Sequence, residues 1–164
     1  MAKIELEELF KAQAKLDATI AENHGISYET TRPRRIMAAY VEIGELANAT
    51  RCFKYWSNKG PEEDDIVLDE FADGLHFLLS LGIDRGYETD TIEVEDDDLS
   101  LTDSLIKSYD LAVQYNSHQT RENYVSLFAN YLRALYKIGY SWKEAKEAYY
   151  TKLAENHHRQ ETNY

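Results

Sequence analysis

Apolar residues recur at intervals of three and four along most of the chain, which is the spacing of one face of an α-helix. Local motifs indicate where several of these helices begin or end. Pro33 suits a first helical turn, and Gly82 is typical of a helix end. Ser141, with Glu144 three residues later, forms a capping-box pattern. The predicted helices span about residues 4–23, 33–57, 61–82, 102–116, 120–138 and 141–156.

Residues 83–101 interrupt this pattern. They show no helical period, and Glu93, Glu95 and the three aspartates at 96–98 give the segment a strong negative charge. A run of like charges is typical of a solvated loop. We therefore expect a mobile segment here, either a lid or an attachment site for another protein.

The composition agrees with a helical fold. Seven glycines and two prolines among 164 residues are too few for a turn-rich β-protein, and 43% hydrophobic residues are enough for a packed core. No internal repeat or linker divides the chain. The sequence therefore predicts one all-α domain over residues 1–164, a helical bundle of about six helices.

The balance of charges limits the possible partners. The chain carries 30 acidic and 18 basic residues, a net charge of −12, which disfavours direct binding to nucleic acid or to an anionic membrane. The longest apolar run, near residues 77–81, is too short to span a bilayer, and the N-terminus lacks the basic-then-apolar order of a signal peptide. With Cys52 as the single cysteine, no intrachain disulfide can form, and we expect a cytoplasmic protein.

Two pairs of carboxylates lie within the predicted helices, Glu42 with Glu45 and Glu70 with Asp73. Residues three apart project from the same helix face, about 5–6 Å from each other at Cβ. Four carboxylates facing each other in a four-helix core would repel, and a divalent cation would remove that repulsion. Oxygen ligands favour Mg²⁺, with Mn²⁺ as a possible substitute, and Mg²⁺ sites are commonly completed by substrate phosphates. The pattern therefore indicates nucleotide chemistry.

Two other interpretations of these pairs stay open at the level of spacing. Glutamates three apart are common on solvated helix faces, so either pair could lie on the surface. A di-iron bundle also places carboxylates inside helices, but it uses Glu-x-x-His on two of them, and only Asp73 and His76 approach that pattern. His76 is more simply explained as a core histidine.

Further motifs surround the carboxylates. In chain order they are Gln13, Leu16 and Asp17; Leu46-Ala47-Asn48 and Phe53-Lys54-Tyr55-Trp56-Ser57; Asp73-Gly74-Leu75-His76-Phe77-Leu78-Leu79; and Tyr149, Lys152, Asn156, Arg159, Gln160 and Tyr164. In this order, over nearly the whole chain outside residues 83–101, the motifs resemble those of the dimeric dUTPases. The carboxylate pairs alone are shared with the wider group of all-α, MazG-like nucleotide pyrophosphatases.

This resemblance implies roles for individual residues. It implies hydrolysis of dUTP, and also of dUDP, to dUMP by a metal-activated water, which limits uracil incorporation into DNA. Glu45 is the residue we expect to position or deprotonate that water. The other implied roles are Mg²⁺ binding by Glu42, Glu45, Glu70 and Asp73; phosphate binding by Lys152 and Arg159; and base or sugar binding by Gln13, Trp56, Phe77 and Asn156.

The resemblance also implies a homodimer in which each site is completed by the neighbouring chain. Several large residues of the fourth and fifth helices suit either an interface or a core: Tyr109, Tyr115, Tyr124, Phe128, Tyr131 and Leu135. Two other functions remain open. One is a dCTP-directed or broad-specificity MazG-like pyrophosphatase, because the Gln13 amide could rotate to pair with either pyrimidine. The other is a helical binding protein without turnover.

Overall fold

The computed structural model describes residues 2–162, so Tyr164 of the last motif lies outside the described residues. Residues 2–162 form six helices and two short strands, which confirms the predicted all-α class. The helices are α1 (Glu7–His24), α2 (Tyr28–Thr50), α3 (Asp64–Arg85), α4 (Leu101–Ser117), α5 (Arg121–Ile138) and α6 (Trp142–Glu161). The strands are β1 (Ala2–Glu5) and β2 (Thr91–Val94).

Helix α3 is central to the bundle. It packs against α1, α2, α5 and α6, while α4 packs against α2 and α5. Most residues of α3 between Phe71 and Gly82 are buried, in keeping with contact on several sides. Helices α1, α2, α3 and α6 together carry every predicted site residue except Trp56, which lies in the loop after α2.

Two glycines in α3 leave space for tyrosines of α5. A Cβ on Gly74 would lie 2.0 Å from the Tyr131 hydroxyl, and a Cβ on Gly82 would lie 2.3 Å from the Tyr124 hydroxyl. Both hydroxyls donate hydrogen bonds to backbone carbonyls of α3. The predicted helix end at Gly82 is therefore wrong. The helix continues to Arg85, because Gly82 allows close packing and does not form a turn.

Helix α2 begins and ends earlier than predicted. The Ser27 hydroxyl accepts a hydrogen bond from the Thr30 backbone N–H, and the Thr30 hydroxyl accepts one from the Ser27 N–H. This capping box starts the helix at Tyr28, so Pro33 lies inside it. The helix ends before Arg51, which adopts a left-handed conformation with φ 57°.

A small antiparallel sheet replaces the start of the first predicted helix. Strands β1 and β2 pair with Ile4 opposite Ile92, and both side chains are buried. Helix α1 consequently starts at Glu7 and not at residue 4. The pairing joins segments nearly ninety residues apart, which local periodicity does not reveal.

The acidic segment 83–101 packs against the bundle through ion pairs. The Lys137 ammonium lies 2.9 Å from the Asp97 carboxylate, and Lys107 and Arg133 lie 3.3 and 3.5 Å from the same group. The acidic side chains Glu93, Glu95 and Asp98 are exposed, as predicted for a solvated segment. The expectation of an unstructured loop is wrong, because residues 91–94 form β2 and cations of α4 and α5 hold Asp96 and Asp97. Binding of another protein at this segment stays a prediction.

We expect Asp97→Asn to lower the free energy of unfolding by about 1 kcal/mol at neutral pH. Burial alone would raise the pKa of Asp97, but hydrogen bonds from Lys137, Lys107 and the Leu99 backbone outweigh it and lower the pKa to about 2. Because the folded pKa lies below the ordinary 3.8, this stability is present above about pH 4 and is lost as the pH falls towards 2.

Urea unfolding at neutral pH and at about pH 2.5 tests this prediction. The matched control is Asp98→Asn, because Asp98 is exposed and its positive φ of 63° is one that asparagine tolerates. Equal stability of the Asp97 variant and the control at neutral pH would show that the ion pairs are not stabilising.

Candidate metal centre

The four predicted carboxylates converge between α2 and α3. Glu42 and Glu45 come from α2, and Glu70 and Asp73 come from α3. One carboxylate oxygen of each residue lies within 4.8 Å of those of the other three. The i,i+3 spacing places each pair on one helix face, and the packing of α2 on α3 brings the two faces together.

Burial makes these carboxylates costly as anions. It is the largest cause of the raised pKa values of Glu42, to about 8, and Glu70, to about 7, and neighbouring carboxylates raise both further. Burial also raises the pKa of Asp73, although the charge of Lys152 partly opposes this. The site therefore concentrates negative charge that the protein only partly compensates.

Two buried oxygen atoms indicate what this site is suited to hold. The Oε2 atoms of Glu42 and Glu70 are buried and have no hydrogen-bond partner among residues 2–162. Buried polar atoms are almost always paired, so unpaired carboxylate oxygens in an acidic cluster fit a bound cation. The all-oxygen donor set fits a hard divalent ion such as Mg²⁺ or Mn²⁺.

The stability of the metal-free protein should fall with rising pH, and Mg²⁺ should reverse that fall. The folded-state pKa of Glu42 is about 8, above its ordinary 4.5, so its contribution to stability is fully present below about pH 4.5 and is lost as the pH rises through 8. Divalent cations bind the deprotonated form. We therefore expect Mg²⁺ to raise the Tm much more at about pH 8 than at about pH 5, as measured by calorimetry with and without EDTA. Equal shifts at both pH values would contradict this.

Lys152 of α6 lies beside the carboxylates. Its side chain is 8% exposed, and its Nζ atom lies 2.9 Å from Asp69 and 3.1 Å from Asp73. Burial alone would lower the pKa of Lys152, but these two carboxylates raise it overall. The predicted phosphate-binding lysine thus lies next to the carboxylate cluster, and its charge is already balanced by aspartates.

Arg159 and Asn156 follow Lys152 on the same helix, because α6 continues to Glu161. Arg159 lies 2.6 Å from Glu155 and donates a 3.4 Å hydrogen bond to the Asn156 side chain. The expected separation of Lys152 and Arg159 by two helical turns is therefore present.

Gln13 lies in a buried hydrogen-bond network. Its Oε1 atom accepts from the Tyr149 hydroxyl at 3.0 Å and from His76 Nδ1 at 2.5 Å, while its Nε2 atom donates to Asp17 at 2.9 Å. Burial lowers the pKa of His76 to about 3, so the ring is neutral. With the Gln13 oxygen facing Nδ1, the ring donates from that nitrogen. The acceptor Asp17 favours this orientation of the amide over the reversed one, whereas the sequence alone allowed either.

The predicted aromatic residues differ in exposure. Phe77 is half-buried on α3, four residues after Asp73, and packs against the core. Trp56 is 64% exposed and meets the rings of Phe53 and Tyr55 edge-on. Trp56 is therefore available to a ligand or to another chain, whereas Phe77 has one face in the protein.

Two grooves meet at Glu45, which is the exposed member of the carboxylate cluster. The first, of about 430 Å³, lies between the end of α2 and the start of α3 and is also lined by Glu70, Arg51 and Lys54. The second, of about 490 Å³, lies between α2 and α4 and is largely apolar. Arg51 and Lys54, which line this first groove, were not predicted from the sequence, although Lys54 belongs to one of the motifs.

Comparison with known proteins agrees with this geometry. A family model described as dUTPase matches residues 5–164, nearly the whole chain. The chain belongs to the dUTPase family. The family predicted from the motifs is confirmed, and the match supports dUTP hydrolysis as the activity of this dUTPase.

A search of curated proteins found no matching sequence. Within residues 2–162, no helix is long and apolar enough to cross a membrane.

Proposed function

We propose that this dUTPase hydrolyses dUTP and dUDP to dUMP with Mg²⁺ held by Glu42, Glu45, Glu70 and Asp73. The observation that supports a metal-dependent reaction is the convergence of these carboxylates, with two buried oxygen atoms that lack a hydrogen-bond partner within residues 2–162. A bound divalent ion supplies neutralisation of phosphate charge and a more acidic water. Mn²⁺ prefers the same oxygen ligands and would substitute for Mg²⁺.

Glu45 is the residue that we assign to the attacking water. It is the exposed member of the cluster and lines both grooves, so substrate and water can reach its carboxylate. The other three carboxylates are partly buried and suit ligand roles. Lys152 holds its ammonium group 3.1 Å from Asp73 and keeps that carboxylate charged and oriented.

The observed orientation of the Gln13 amide favours uracil over cytosine. Its oxygen already accepts two hydrogen bonds and one amide hydrogen is donated to Asp17, so only an N–H donor remains for a base. A donor facing position 4 of the pyrimidine pairs with the uracil carbonyl and leaves the cytosine amino group unpaired. This supports dUTP over the dCTP alternative. Phe77 would stack on the base, and Asn156 and Arg159 would bind the sugar and phosphates from α6.

A homodimer is the second part of this proposal. Five of the six residues first considered for an interface are buried in the core of one chain: Tyr115, Tyr124, Phe128, Tyr131 and Leu135. A different apolar surface is exposed on α2 and α4, beside the 490 Å³ groove, and includes Met37, Val41, Ile106 and Val113. We propose that a second copy covers this surface, with Trp56 positioned to complete the neighbouring site.

A nucleotide panel tests the proposed activity. Release of pyrophosphate from dUTP, dCTP, dTTP and UTP, and of phosphate from dUDP, would be measured with Mg²⁺, with Mn²⁺ and with EDTA. We expect turnover of the uracil deoxynucleotides that EDTA abolishes. Comparable rates with dCTP or dTTP would instead indicate a broad-specificity pyrophosphatase. Turnover that persists in EDTA would refute the metal centre.

A further inference from the structure

Arg51 and Lys54 lie beside the carboxylate cluster, and neither has a role in the function proposed above. Both line the 430 Å³ groove, and two other residues of its lining, Glu45 and Glu70, belong to the cluster. The groove is therefore continuous with the metal centre. Any group that occupies it is in reach of both the cluster and the two cations.

The charges of these two residues are not balanced by acidic partners. Neither Arg51 nor Lys54 forms an ion pair with a carboxylate in the part of the chain that the structure describes, although acidic residues outnumber basic ones by 30 to 18. Arg51 donates to neutral groups only, the Ser57 hydroxyl at 2.8 Å and the Lys59 carbonyl at 3.4 Å. Lys152, by contrast, already pairs with Asp69 and Asp73.

Backbone hydrogen bonds fix the loop that carries these two cations. Arg51 adopts the left-handed conformation, with its N–H bonded back to the carbonyls of Ala47 and Asn48 at 3.0 and 3.2 Å. This conformation is unfavourable for a non-glycine residue, so the surrounding contacts must hold it. At the far end of the loop, the Glu62 N–H donates to the Ala49 carbonyl at 2.9 Å. The loop is thus pinned at both ends around the groove.

The chemistry of the groove selects its ligand. Arginine presents a planar fork that matches phosphate oxygens, and lysine adds a compact positive charge. Glu45, Glu62 and Glu70 also line the groove, so a bare anion would be repelled. A polyphosphate complexed with a divalent cation satisfies both kinds of residue, because its metal faces the carboxylates and its outer oxygens face the cations.

We propose that Arg51 and Lys54 form a binding site for the terminal phosphates of the substrate and for the departing pyrophosphate as its Mg²⁺ complex. The inference rests on the proposed metal-dependent function. The outer phosphates bind at the loop after α2, whereas Lys152 balances the negative charges of Asp69 and Asp73 beside the metal ligands.

Calorimetric titration of the protein with magnesium pyrophosphate tests this site without relying on turnover. We expect Lys54→Gln and Arg51→Gln each to weaken binding by about tenfold or more, and dUMP binding to change less than about twofold. The matched control is Lys59→Gln, which removes an equal charge from the same loop at an exposed position outside the groove. The Tm of each variant shows whether it folds, and Lys54→Gln leaves the left-handed residue intact.

The outcomes separate this inference from the proposed function. Wild-type binding by the folded Lys54 and Arg51 variants would overturn the phosphate site, even if the protein hydrolyses dUTP. Weakened binding in these variants but not in Lys59→Gln would support the site, even if no nucleotide is turned over. Equal weakening in all three variants would also overturn it, because only the net charge would then matter.

Discussion

Replacing Glu42 with glutamine is expected to lower kcat/KM for dUTP by about a thousandfold and, at the same time, to stabilise the metal-free protein. The two effects have the same origin. Burial and the nearby carboxylates raise the pKa of Glu42 to about 8, and its Oε2 atom has no hydrogen-bond partner in the described chain. A neutral amide relieves this repulsion but is a weaker ligand for a divalent cation.

The measurements are steady-state kinetics with Mg²⁺ and calorimetric Tm in EDTA at about pH 8. The control is Glu147→Gln, at an exposed position of α6 that has no role in the cluster. We expect the control to match the wild type in both measurements. Activity within tenfold of the wild type would exclude Glu42 as a metal ligand. A lower Tm for the metal-free variant would contradict the idea that the buried carboxylates repel each other.

Asp84→Asn is expected to lower the free energy of unfolding by about 3–5 kcal/mol. The Asp84 side chain is 2% exposed and accepts two hydrogen bonds of 2.7 Å from the Arg32 guanidinium. Arg35 lies 3.5 Å from the same carboxylate. Asparagine removes the negative charge and leaves two partly buried guanidinium groups close together, where their repulsion and desolvation are no longer offset.

Urea unfolding followed by circular dichroism measures this loss. Asp110→Asn, on the exposed face of α4, is the control for a change of one charge in a protein of net charge −12. We expect the control to differ from the wild type by less than about 0.5 kcal/mol. A loss below about 1 kcal/mol for Asp84→Asn would mean that this pair, which joins the end of α3 to the start of α2, contributes little.

The helices were predictable wherever their determinants are close in sequence. The Ser141 and Glu144 capping box and the end of α5 at Ile138 lie where they were expected, because a capping bond or a helix end depends on residues only a few positions apart. The two carboxylate pairs were predictable for the same reason, since i,i+3 spacing places them on one helix face.

Interactions between distant segments decided the rest of the fold. Strand β2 exists because β1 pairs with it, and the acidic segment is held by cations of α4 and α5. Gly82 has the sequence signature of a helix end but lies inside α3, where Tyr124 packs against it. In each case the energetically important partner is remote in sequence, so local periodicity and capping cannot identify it.

For the candidate site, too, the sequence determined some features and the tertiary structure decided others. Residue types and spacing were enough to select the carboxylates, and the motifs were enough to indicate the family. Only the packed structure shows that Gln13 is held by His76, Tyr149 and Asp17, and that Arg51 and Lys54 line a groove shared with Glu45 and Glu70. These features depend on which side chains meet when helices pack, because burial and the loss of water determine both the hydrogen-bond partners and the cost of each charge.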